Sequence, residues 1–137
     1  MLQRIQTIWF FLAGVAALAT LKLPYYTGIN DPAVKYSELN ALTATIPTLL
    51  VTLSIAIIAF IAIGLYKNRT IQLRLSVIGI ALEALLIFLY YHQVSAFAQG
   101  TYALTSILHM LIVLFFVLAA RGINKDEKLI KDSNRLR

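Results

Sequence analysis

Hydrophobic residues fill three long stretches that carry no charged side chain, Ile5 to Leu21, Leu39 to Tyr66 and Ala84 to Ala120, and a further run, Leu75 to Leu82, leads into Glu83. A membrane-spanning helix needs about 20 consecutive apolar residues, so these runs are of spanning length. Gln99 and Gly100 are turn residues that divide the last of them. The pattern therefore predicts four helices over about 4–23, 44–66, 73–92 and 102–121, joined by one long outer loop over about 24–43. Residues 1–121 form the transmembrane domain on this reading, and residues 122–137 a basic tail. The fold class is all-α, a four-helix transmembrane bundle with a short cytoplasmic amphipathic C-terminal tail.

Local chemistry agrees with these divisions. Pro24 ends the first helix, and Tyr25, Tyr26, Gly28, Asn30, Asp31 and Pro32 continue as a tyrosine-rich loop suited to a membrane interface. Thr45, Thr48, Thr52, Ala56 and Ala59 lie along one side of the second helix, and Ala13, Gly14, Ala17 and Thr20 along one side of the first. Small and hydroxylated residues at such spacing let helices approach closely in lipid. Ala17-Leu18-Ala19 imitates a signal-peptide cleavage site, but the sequence starts at Met1 with this segment in place, so helix one is expected to be an anchor.

Composition strengthens the membrane reading. Of 137 residues 60% are hydrophobic, and mean hydropathy is +0.80. A net charge of +6 is compatible with nucleic-acid binding, but the placement of the charges points elsewhere. Arg4, Lys67, Arg69, Arg74, Arg121, Lys125, Lys128, Lys131, Arg135 and Arg137, ten of the 12 basic residues, fall on one side of the four-helix arrangement. The positive-inside rule then places both termini of a multi-pass protein in the cytoplasm. With no cysteine, disulfides, thiolate catalysis and cysteine-held metals are excluded.

The candidate chemistry is an intramembrane pair. Glu83 lies nine residues beyond Arg74, about 13–14 Å up helix three, and His109 twelve residues before Arg121, about 18 Å up helix four. These depths differ by about one turn, so the two side chains are expected to meet, directly or through water. Ser76, Gly79 and Tyr90 share the Glu83 face, and Tyr102, Thr105 and Ser106 approach His109. Two roles compete for the pair. It is either interhelical glue or a titrating site that moves protons or binds a quinone or cation. No catalytic residue set, metal site or cofactor is expected from the sequence.

In the tail, Ile123 and Ile130, like Leu129 and Leu136, are seven residues apart, and Glu127 precedes Lys131 by four. Lys125, Lys128, Leu129, Ile130, Lys131, Arg135, Leu136 and Arg137 are candidates for docking on anionic lipid or on another protein. Nucleic acid is not an expected partner, an indirect ribosome contact by the tail apart.

The opening Met1-Leu2-Gln3-Arg4-Ile5-Gln6-Thr7 and the closing Asp126-Glu127-Lys128-Leu129-Ile130 through Asn134-Arg135-Leu136-Arg137 resemble the domain of unknown function 4293 family. That resemblance implies a small four-helix inner-membrane protein of Bacteroidota-type bacteria and carries no activity, ligand or catalytic residue. The leading expectation is a non-enzymatic accessory or scaffold subunit of a larger inner-membrane complex, in protein export and insertion or in respiration. The alternative is a small proton-coupled transporter, or a quinone- or ion-binding membrane protein, using Glu83 and His109.

Overall fold

Each helix buries residues spaced alternately four and three apart. On helix α1 (Gln3–Ala19) and just past its end these are Gln6, Phe10, Ala13, Ala17 and Thr20. Helix α2 (Ile46–Gly64) buries Thr48, Thr52, Ile55, Ala59 and Ala62. Helix α3 (Arg69–Val94) buries Gln72, Ser76, Gly79, Glu83, Leu86 and Tyr90, and helix α4 (Ile107–Arg135) buries His109, Ile112, Phe116, Ala119, Ile123 and Asp126. A 3-4 alternation keeps one narrow seam facing its neighbours, the packing geometry of left-handed bundles. The computed structural model describes residues 3–29 and 37–137, with side chains from residue 5 onward. In it α1 lies against α2 and α4, and α3 against α2 and α4, which closes the four helices into a ring.

The seam is more polar than the outside. Thr48, Ser76, Glu83 and His109 are buried, whereas Phe11, Leu50, Ile57, Phe88, Ile107 and Met110 are exposed. Aromatic rings fill the junctions of α1 with its neighbours, Phe10 edge-on to Phe116, Trp9 stacked on Phe115, and Phe11 edge-on to Phe60. Three helical segments, Ile46–Gly64, Arg69–Val94 and Leu104–Arg135, are long and apolar enough to cross a membrane. Their length and apolar character suggest a membrane protein.

The boundaries differ instructively from those expected. Helix α1 stops at Ala19, not near 23, in a run of turns from Thr20 to Leu23 ahead of Pro24. Its 17 residues fall short of the length of the other three. Helix α3 begins at Arg69, with Gln72 N–H bonding Asn68 C=O. Gln72 also reaches back across the turn, its Nε2 donating to the Ala62 carbonyl at 2.7 Å. That carbonyl belongs to the last turn of α2, where the ladder supplies no donor. Helix α4 runs unbroken to Arg135, so residues 122–135 extend it as one rod.

The expectation of an all-helical chain needs correction, because part of the outer loop is β structure. Strand β1 (Tyr26–Ile29) is the centre of a three-stranded antiparallel sheet, with β2 (Ser37–Leu39) on one side and β3 (Gln99–Tyr102) on the other. Tyr26 pairs with Leu39 and with Tyr102, and Gly28 pairs with Ser37 and with Gly100. Gly28 and Gly100 meet so closely that a Cβ on either would overlap the partner strand's backbone. Both positions therefore need glycine. The sheet caps one end of the bundle and ties the α1–α2 connection to the α3–α4 connection. Asn30, Asp31, Pro32 and Lys35 of the expected loop lie outside the described residues.

Candidate functional site

Where the seams of α3 and α4 face each other, the Glu83 carboxylate meets the His109 imidazole, Oε1 to Nδ1 at 2.5 Å. Both residues are enclosed, Glu83 at 0% and His109 at 2% exposure. Burial removes the water that would compete for this hydrogen bond. Oε2 of Glu83 is buried and lacks a hydrogen-bond partner among the described residues.

Aromatic rings wrap the imidazole. Tyr90, two turns above Glu83 on α3, stands edge-on to His109 with ring centroids 5.2 Å apart, and Tyr25 does the same at 5.3 Å. The two tyrosines stack on one another at 4.6 Å and 12°. Tyr25 is held in place by the sheet's hydrogen bonds, its N–H donating to Leu39 C=O and its C=O accepting from Ala103 N–H. Tyr102 closes the cluster, edge-on to both Tyr25 and Tyr26. Burial pushes the Tyr25 hydroxyl above its ordinary pKa, and the neighbouring Tyr102 phenol adds to the shift. The sheet thus positions an aromatic cap over the Glu–His pair.

The other expected residues are distributed unevenly. Ser76 is fully buried two turns below Glu83, but its hydroxyl donates to Gln72 C=O within its own helix. Thr105 donates instead to Pro24 C=O and pins the start of α4 to the end of the first turn region. Ser106 borders, with Tyr25, Tyr102, His109 and Met110, a groove of about 430 Å³ near the sheet end of the bundle. Of the tail candidates, Lys125, Lys128, Leu129, Ile130, Lys131, Arg135, Leu136 and Arg137 are all exposed, with Lys131 paired to Glu127 at 2.9 Å. Among the described residues no three His, Asp or Glu stand together as a metal-holding group.

Two contributors escaped the sequence reading. Tyr25 looked like an interface anchor, and only the pairing of β1 with β3 brings it over His109. Asp126, assigned no role from the sequence, is buried and accepts a hydrogen bond from Gln6 Nε2 at 2.5 Å, across 120 residues of sequence. A signal for it existed, since Asp126 continues the buried series Phe116, Ala119, Ile123 at spacings of three and four.

A family profile described as a domain of unknown function, DUF4293, matches residues 2–136. The chain belongs to this family. No curated protein matches it, and no solved structure does. For the DUF4293 fold, the function must be argued from this geometry.

Proposed function

We propose that the chain is a non-enzymatic accessory or scaffold subunit of a larger complex in the bacterial inner membrane, inserted with both termini in the cytoplasm. The observation that carries this reading is the closure of the Glu83–His109 pair upon itself. The strongest polar groups of the spanning region join α3 to α4 within one chain, beneath stacked tyrosines. Such a bond fixes helix register in lipid, where apolar side chains discriminate little between partners. The outward faces of all four helices are left apolar for lipid or for the helices of a neighbour. Export and insertion machinery and the respiratory complexes are the assemblies to examine first. Affinity purification in mild detergent with mass spectrometry tests this. A stoichiometric membrane partner is expected, and recovery as a lone monomer under conditions that preserve known complexes overturns it.

One observation favours a second reading, a proton-coupled or quinone-binding role. The groove of about 430 Å³ beside Tyr25 and Tyr102 reaches His109. On that reading Glu83→Gln abolishes function in a folded, assembled protein, whereas the scaffold reading expects function to persist.

A further inference from the structure

At the opposite end of the bundle from the sheet, the α2–α3 turn and the extension of α4 enclose a groove of about 450 Å³ lined by Lys67, Arg69 and Lys131, with Glu127 and the side chains of Ile71 and Ile130. Glu127 is engaged by Lys131, which leaves the charges of Lys67 and Arg69 unbalanced within the groove. One guanidinium nitrogen of Arg69, Nη1, is buried and has no acceptor among the described residues. The backbone adds to the positive potential. The first-turn N–H groups of α3 lie ahead of the first ladder bond, its first turn contains no acidic residue, and Asn68 supplies no side-chain cap. Cations beside the positive end of a helix repel it, and an anion relieves both.

The groove is also amphipathic. Ile71 forms its wall, and Ile78 and Leu85, at successive seven-residue steps, continue an exposed apolar track up the same side of α3. We propose that this groove binds the phosphate of an anionic phospholipid, with the Arg69 fork and Lys67 on the headgroup and an acyl chain along Ile71, Ile78 and Leu85. Arginine's planar fork matches phosphate oxygens, and basic pockets between helix ends select anionic headgroups. A free phosphate would use the cations but not the apolar track. The inference rests on the proposed membrane insertion.

The test is native mass spectrometry of the full-length protein in micelles containing phosphatidylglycerol and phosphatidylcholine. The wild type is expected to retain phosphatidylglycerol in preference. Lys67→Gln and Arg69→Gln should each weaken that retention about fivefold, while the charge-matched Lys22→Gln, at an exposed position beside the sheet, keeps it; circular dichroism and gel filtration confirm that all variants are folded. Equal retention of the two lipids by the wild type, or undiminished preference in Lys67→Gln with Arg69→Gln, overturns the proposal, as does complete displacement of the lipid by millimolar sodium phosphate. Carbonate washing of native membranes separates the two levels of failure. Release of the chain refutes insertion itself, and retention without lipid preference refutes this site alone.

Discussion

Among the described residues Glu83 makes one hydrogen bond, to His109, and its second carboxyl oxygen has no partner, so the pair has a single point of failure. Replacing Glu83 by Leu strands the imidazole Nδ1 in an enclosed space, a loss of about 1–3 kcal/mol. Glutamine still offers an oxygen and an NH2 at the same reach and should keep most of the stability. Thermal unfolding in detergent should therefore rank wild type above Glu83→Gln and Glu83→Gln well above Glu83→Leu; equal melting of the two variants would show that the pair holds nothing together. This contact was legible from sequence because helix rise converts residue counts into depth, and two polar groups at matching depth on adjacent helices have few other partners. The role of Tyr25 was not legible, since nothing local to Pro24-Tyr25-Tyr26 encodes a strand seventy-odd positions away. The burial of Asp126 was not legible either, because the neighbouring Lys125, Glu127 and Lys128 disguise its place on the buried seam.

Among the elements, α3 and α4 pack tightly where Gly79 faces Phe116, and a Cβ there would come within 2.7 Å of the ring. Gly79→Val should push the helices apart one turn below the Glu–His pair and cost about 1–3 kcal/mol through overpacking, measured by the same unfolding assay. The α4 extension is a separate matter. Its fixed point is the Gln6–Asp126 bond, so Gln6→Leu should fray residues beyond Ile123 and speed proteolysis after Lys125 and Lys128 without unfolding the four-helix bundle. Leu129→Asp with Leu136→Asp, both at exposed positions, should leave that protection intact and weaken only docking to a membrane or partner. The helices were readable because their apolar runs are long. The strands were not, for Tyr26–Ile29, Ser37–Leu39 and Gln99–Tyr102 are three or four residues each and lack the alternation of apolar and polar residues that marks a half-buried strand.

For the whole molecule, the charge asymmetry makes a directional prediction. Asn68→Cys, in the basic turn, should react with a membrane-impermeant thiol reagent only after the cytoplasmic side is opened, while Ser95→Cys, near the sheet, should react from the periplasm of intact cells. The reverse pattern would invert the proposed topology, and with it the side on which the basic groove meets lipid.

The sheet that joins the two connections also imposes an order of events during synthesis. Strand β1 leaves the ribosome long before β3, and Gln6 long before Asp126, so the sheet cannot close until α3 and β3 are made, and the Gln6–Asp126 bond cannot form until the last helix is made. Until β3 is made, the first hairpin, α1 and α2 with β1 and β2 in their connection, must wait with its central strand half paired. Separately expressed segments 1–67 and 68–137 should accordingly recombine in the same membrane into a co-purifying pair, and Gly100→Val, which blocks the strand contact, should abolish that recombination more severely than it destabilises the intact chain. A folding factor acting on this protein would find its substrate in that interval, in the unclosed β edge of the first hairpin.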